Sequence, residues 1–210
     1  MNYVVCLKYG DKYPASYVNK LYNMVERNLT IDFEFICITE DTSLLNPSIT
    51  VLDLEIDHSI PKGWWYKINL FDPDFPIKGT ILFIDLDVVI CGDLNRFFEL
   101  NKSEFVISRN YHKGHPCKIN SSCFRMETGT YSNVYEDYQK NKTAILKKFA
   151  GDQDWIFQVI KDYKVWPREW IKSYKWEMTN ENNDDTSIAV FHGNPNPHEI
   201  NSNWINENWR

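Results

Sequence analysis

Short apolar runs and helically spaced apolar residues divide this chain into alternating elements. Residues 2–7 (NYVVCL) form an apolar run of strand length. From 13 to 28, apolar side chains recur at Tyr17, Leu21, Met24 and Val25, one face of an amphipathic helix. Two more strand-like runs, 33–38 (FEFICI) and 49–54, complete a β-α-β-β opening that brings several strand ends to one sheet edge. Residues 64–71 (WWYKINLF) carry a helical period, with Trp64, Lys67 and Phe71 near one face. The run 81–84 (ILFI) lacks polar alternation and is rich in β-branched and aromatic side chains. It predicts a strand buried on both faces, in the middle of a parallel sheet. Beyond it lie an apolar run at 88–90, a helix carrying Phe97, Phe98 and Leu100, and a strand at 104–108. A segment at 119–126 (INSSCFRM) opens polar and turns strand-like. Helical segments at 131–150 and 151–163 and a last strand at 187–191 (SIAVF) follow. The sum is an α/β fold with a mixed, mainly parallel central sheet flanked by helices.

Two carboxylates, Asp85 and Asp87, follow the central run directly, with Leu86 between them. In extended chain, residues i and i+2 point to the same side, so both acids face one spot while Leu86 faces the core. Anions held that close repel unless a cation lies between them. Hard oxygen ligands suit Mg²⁺ or Mn²⁺, ions that complete their shell with water and phosphate oxygens. The open end of a central parallel strand is also where α/β sheets bind ligands. Acid-x-acid also fits plain strand-end turn chemistry, but carboxylates wedged between apolar runs favour the metal-diphosphate reading.

Composition narrows the partners. The 210 residues carry a net charge of −6 without a basic block, which speaks against a nucleic-acid backbone. Aromatic residues make up 15%, a fraction that suits surfaces stacking sugars or bases. The five cysteines are odd in number and lack a CxxC pair, which argues against a zinc site or disulfide frame and for a reducing compartment. The chain enters a strand at once and has no apolar run near 18 residues, so a soluble, cytoplasmic protein without a transmembrane segment is expected. Peripheral membrane contact stays compatible with this.

Other residues carry two readings each. Tyr9, Asp11 and Asp41 lie in loops after strands and fit a nucleotide base or ribose as well as turn chemistry. Lys67 is either a snorkelling surface lysine or a cation directed at phosphates beside the metal. The loop 109–116 (RNYHKGHP) holds two of the five histidines and reads as an ordinary mobile loop or a lid. Asp152 and Asp154, in the first turn of a helix, suit capping and the helix dipole, or, with Gln153, sugar hydroxyls. His192, followed by Gly193 after a buried strand, is a third metal ligand or a strand-end residue. Trp204 and Trp209 fit an acceptor, a membrane-bound substrate or the domain itself. No GxGxxG, P-loop, GxSxG or HExxH pattern occurs.

Five motifs in order, WWYKINLF, ILFIDLDVVICGDL, INSSCFRM, GDQDWI and AVFHGNPNPHE, resemble those of GT-A fold nucleotide-sugar glycosyltransferases, in the glycogenin/galactosyltransferase-like family 8 group. The resemblance spans 64–199 and implies one GT-A domain over 1–210. Its nucleotide-binding half would be 1–91, and its donor-sugar and acceptor half 92–210. It further implies a UDP-sugar donor, a glycan or glycolipid acceptor and polysaccharide biosynthesis. Asp85 and Asp87 would be the DXD motif and, with His192, would bind Mn²⁺ or Mg²⁺. Lys67 matches the basic position contacting the donor, Asn120 and Ser121 the pair beside the donor sugar, and Gln153 and Asp154 the polar pair at its hydroxyls. Asp152 joins Asp154 as a candidate acid or base. Apart from the resemblance, Tyr9 and Asp41, in loops after strands, and Gly193, beside His192, are expected at the donor site. Asn196 stands where the family often carries a lysine that reaches the leaving diphosphate, which passes that role to the metal with Lys67 or Lys113. Retention of anomeric configuration is the family's leaning.

Two other classes compete. A haloacid-dehalogenase-like phosphatase also places DxD after an apolar strand, with Asp85 as nucleophile, Asp87 as acid/base and Asp184 and Asp185 on the metal. Its motif normally lies on the first strand, whereas three strands precede this one. A nucleotide- or carbohydrate-binding module without turnover is the non-enzyme reading.

Overall fold

The structure, a computed structural model, describes residues 1–178 and 185–210. The opening runs as β1 (Asn2–Leu7), α1 (Ala15–Asn28), β2 (Glu34–Thr39) and β3 (Thr50–Asp53). A 3₁₀ segment (Gly63–Phe71) leads into β4 (Thr80–Ile84) and β5 (Val88–Ile90), and a short α2 (Asn95–Glu99) precedes β6 (Val106–Arg109) and β7 (Ile119–Glu127). Then come α3 (Asn133–Lys148), α4 (Asp152–Val159), β8 (Lys164–Val165), β9 (Ile171–Ser173), α5 (Tyr174–Glu177), β10 (Ile188–Val190) and α6 (Asn203–Asn208).

Among the described residues, seven strands form the main sheet in the order β3-β2-β1-β4-β7-β6-β8. β1 pairs in parallel with β2 and β4, and β2 with β3, while β7 runs antiparallel to both β4 and β6. The chain leaves β1 toward β2 on one side, and β4 lies on the other, so a topological switch point sits between β1 and β4. The mixed, mainly parallel sheet is as the hydrophobic pattern predicts. The run at 88–90 joins a separate three-stranded sheet, β5-β10-β9.

Period-2 alternation along the central strands sends side chains into two cores. Val4, Cys6, Leu82 and Ile84 pack with Leu21 and Met24 of α1 and with the small sheet. Val5, Ile81 and Phe83 pack on the opposite face with Trp65 and Ile68 of the 3₁₀ segment, Tyr138 of α3 and Ile156 of α4. This double burial explains why 81–84 shows no polar alternation.

Three local expectations change. Residues 64–71 form a 3₁₀ rather than an α-helical stretch, with Trp65, Tyr66, Lys67, Ile68, Leu70 and Phe71 all buried. A segment buried nearly all round has no exposed stripe, so an amphipathic spacing does not describe it. The polar start of 119–126 is part of one nine-residue strand, because Asn120 and Ser121 sit at its end beside the cavity. The helix expected over 131–150 loses helical dihedrals at Asn141.

One buried cation organises the far side. Arg125 is 1% exposed and donates to the carbonyls of Phe97 at 2.8 Å, Leu100 at 2.6 Å and Asn101. It thereby satisfies carbonyls left open at the end of α2. The C-terminal aromatics dock on the domain itself. Trp209 meets Tyr17 edge-on at 5.0 Å beneath Lys20, and Trp204 stacks on Tyr174.

Candidate active site

The C-terminal ends of β1 and β4 and the N-terminal end of β7 converge on one cavity of about 660 Å³. That volume lies in the usual range for small-molecule and cofactor sites. Asp85, Leu86 and Asp87 all line it, from the bend that follows β4 rather than from extended chain, and Leu86 is also buried against the α1 core. Antiparallel pairing of Ile84 with Cys123 continues into a hydrogen bond from Asp85 N–H to the Ser122 carbonyl at 2.8 Å. This register brings Asn120 and Ser121 alongside the first carboxylate.

Lys67 reaches the site from the 3₁₀ segment and is not a snorkelling surface lysine. It is 5% exposed, and its ammonium lies 2.8 Å from one oxygen of Asp85 and 3.0 Å from the other. It also donates to the backbone carbonyl and hydroxyl of Ser121, both at 3.3 Å. Asp152, 4% exposed, stands 3.9 Å from the same ammonium, with one carboxylate oxygen lacking a hydrogen-bond partner. The two partners respond differently. Burial would push Lys67 down, but Asp85 and Asp152 together hold it above its ordinary value. Burial pushes Asp152 up, and Lys67 offsets this only in part. Geometry explains the mismatch, because the close ion pair is Lys67–Asp85 and Asp152 is left under-compensated.

Asp152→Asn is therefore expected to stabilise the fold by on the order of 1 kcal/mol near neutral pH. Because the folded-state pKa is raised above the unfolded value, ionised Asp152 opposes folding increasingly as pH rises from the ordinary carboxylate range. The gain should be present at pH 7 and absent below about pH 4. Urea unfolding of both proteins at the two pH values checks this.

Asp87 has different neighbours. It accepts a hydrogen bond from the Tyr13 hydroxyl at 3.1 Å, and that hydroxyl also lies 3.4 Å from Asn196 Oδ1. Burial and the neighbouring Asp85 carboxylate push Asp87 up, with Lys12 opposing. β10 ends in a hydrogen bond from Phe191 N–H to the Asp87 carbonyl at 2.9 Å, which delivers His192 to the same cavity. The His192 ring stacks on Tyr111, and its Nε2 lies 2.7 Å from Ser173 Oγ. Burial, then Lys175, pushes His192 down to about 4, so the imidazole is neutral near pH 7.

The donor types suit a hard divalent cation: two carboxylates, one pushing the other up, and a neutral imidazole line the same cavity. Their ligating atoms are not drawn together. Among the described residues, the only three His, Cys, Asp or Glu groups with ligating atoms within 4.8 Å of one another are His115, Cys117 and Asp154.

The cavity has two further ends. The start of α4 presents Gly151, Asp152, Gln153 and Asp154, and Asn120 Nδ2 donates to Gln153 Oε1 at 3.4 Å. At the other end Tyr9 lies against Tyr66, with ring centroids 5.1 Å apart. Glycine at position 63 makes this possible, since a Cβ there would stand 2.4 Å from Tyr9 Cδ1. Asp41 and Gly193 do not line the cavity. Asp41 accepts from the Ser43 backbone and hydroxyl and from Lys8, a local turn. Lys113 is likewise outside the lining, whereas Lys12, Lys62 and Trp64, which sequence reasoning passed over, are part of it. No sequence spacing marks these three, because Lys12 comes from the turn after β1 and Lys62 and Trp64 from the start of the 3₁₀ segment.

The phosphatase alternative gains no support. Its strand is the fourth of the chain, Asp184 lies outside the described residues, and Asp185 is not in the cavity lining, giving its carbonyl to Arg96 Nη2 at 2.5 Å.

Comparison with family models and with curated proteins finds no match. Solved structures do match. Glycosyltransferase GlyE of Streptococcus pneumoniae TIGR4 aligns at a TM-score of 0.66 and 13% identity over 94% of this chain and 56% of its own. Galactosyltransferase LgtC, solved in complex with donor and acceptor sugar analogs, aligns at 0.66 and 12% over 94% and 89%. The bifunctional glycosyltransferase WbbM aligns at 0.65 and 14% over 92% and 46%. The chain spans about half the length of GlyE and WbbM. These likenesses establish the GT-A fold, as the sequence resemblance implies. Among the described residues, no helix is long and apolar enough to cross a membrane.

Proposed function

We propose that this chain is a glycosyltransferase that moves a sugar from a nucleotide diphosphate sugar, a UDP-sugar, to a hydroxyl of a glycan or glycolipid. One observation carries the reading. A single cavity at the switch point of a GT-A sheet joins an aromatic platform, a paired carboxylate and a row of sugar-compatible polar groups. Tyr9 offers its ring to the base. Asn120, Ser121 and Gln153 hold sugar hydroxyls, while Lys12 and Lys62 meet diphosphate charge.

Asp85, Asp87 and His192 would hold Mn²⁺ or Mg²⁺. When bound, the ion supplies a Lewis acid for the charge that develops on the departing diphosphate. In the transfer, the bond from the anomeric carbon to the diphosphate oxygen breaks and a bond to the acceptor oxygen forms. Asp152 is buried, with the Lys67 ammonium 3.9 Å away. Asp154 faces the cavity and is the carboxylate able to accept a hydrogen bond from the acceptor hydroxyl. The buried Lys67–Asp85 pair holds the first carboxylate in place before donor arrives. Incubation with a panel of nucleotide-sugars and Mn²⁺ tests the activity. Release of nucleoside diphosphate is expected. Metal-dependent binding without any product would favour the binding-module reading instead.

A further inference from the structure

We propose a second metal site, selective for a borderline ion such as Zn²⁺, built from His115, Cys117 and Asp154 beside the cavity. Each residue contributes one ligating atom, and these atoms lie within 4.8 Å of one another. The chain reaches this arrangement without any CxxC pair, so the cysteine spacing that speaks against a zinc frame misses it. His115 and Cys117 flank Pro116 at the start of β7, and Asp154 comes from the first turn of α4, so the set closes only through the fold.

Its chemistry differs from that of the Asp85–Asp87 pair. Thiolate and imidazole favour Zn²⁺ or Co²⁺, where an all-carboxylate pair favours Mg²⁺ or Mn²⁺. His115 Nδ1 lies 3.2 Å from the Cys117 carbonyl, which can only accept. That contact puts the proton on Nδ1 and leaves the Nε2 lone pair free, the usual way a second contact fixes a ligand histidine. The Cys117 side chain is 3% exposed and faces backbone carbonyls of Ile119 and Gln153. On binding, its thiol proton passes to solvent and a metal–thiolate bond forms. One thiolate and one carboxylate then neutralise the divalent charge of an ion held by one buried and two half-buried residues. His115 and Asp154 line the cavity, which leaves a fourth position open toward it. On the transfer reading above, the ion would also take the Asp154 carboxylate from the acceptor.

Titration of the full chain with Co²⁺, followed by absorption, tests the site independently of turnover. A thiolate-to-cobalt charge-transfer band is expected in the wild type and in Asp85→Asn/Asp87→Asn, displaced by equimolar Zn²⁺. Cys117→Ser should lose the band, and Cys91→Ser should keep it. His115→Gln, on the loop, should weaken Co²⁺ binding by about 10-fold or more. The proposal is overturned by a wild type without the band, by a band that survives Cys117→Ser, or by unchanged affinity in His115→Gln.

Discussion

Asp87→Asn is expected to lower sugar transfer by about 10³-fold while leaving the protein folded and its thermal midpoint unchanged or raised. The loss follows from removing one of two carboxylates that would hold the divalent ion. Charge stabilisation of about 4 kcal/mol at the leaving diphosphate corresponds to about 10³ in rate. The stability half of the prediction follows from the neighbours. Asp87 is pushed up by burial and by Asp85, so its ionised form opposes folding above the ordinary carboxylate range. An amide of the same shape removes that opposition and leaves the Lys67–Asp85 pair in place. Turnover under saturating Mn²⁺ and a thermal melt at pH 7 check both halves. A variant that is inactive because it is unfolded would contradict the account.

Lys67→Met should be the most destabilising single change in the site, at about 3–5 kcal/mol near neutral pH. It removes the ammonium from Asp85 and Asp152 together and leaves two carboxylates facing each other in a mostly enclosed wall. The pH window has a sign on each side. Lys67 is held above its ordinary value of 10.5, so its stabilisation is complete below that value and is lost as pH rises through the folded one. In acid, Asp152, pushed up by burial, takes up a proton and the penalty shrinks. The difference between variant and wild type should therefore be widest between about pH 7 and 10 and small below pH 4, read from urea unfolding across that range. A difference that does not depend on pH would mean Lys67 acts through packing alone.

These two residues also mark how far the chain alone can be read. Asp87 was visible because an unbroken apolar strand announced the carboxylates; both acids line the cavity, though from a bend after β4 and not from extended chain. Lys67 was visible only as a choice, since a lysine in an apolar segment snorkels unless a partner waits inside. The partners, Asp85 and Asp152, lie 18 and 85 residues away. Burial of a charge is decided by what stands opposite, and local sequence carries no record of that. Asn120 and Ser121 line the cavity, but their place in a strand was masked by polar character at its open end. β9, paired on β10, was missed because IKS is too short for periodicity to register. Tyr13, which holds Asp87 through its hydroxyl, looked like a helix-start residue. The His115–Cys117–Asp154 set joins a loop to a helix start, a long-range meeting that spacing rules for metal ligands do not describe.

The measurement that bears most directly on the central claim is a calorimetric titration of the protein with UDP, with and without Mn²⁺, on wild type and on Asp85→Asn/Asp87→Asn. The account predicts saturable binding that requires Mn²⁺ and disappears in the double variant. UDP binding of equal strength without metal, or binding that survives the double substitution, would contradict it.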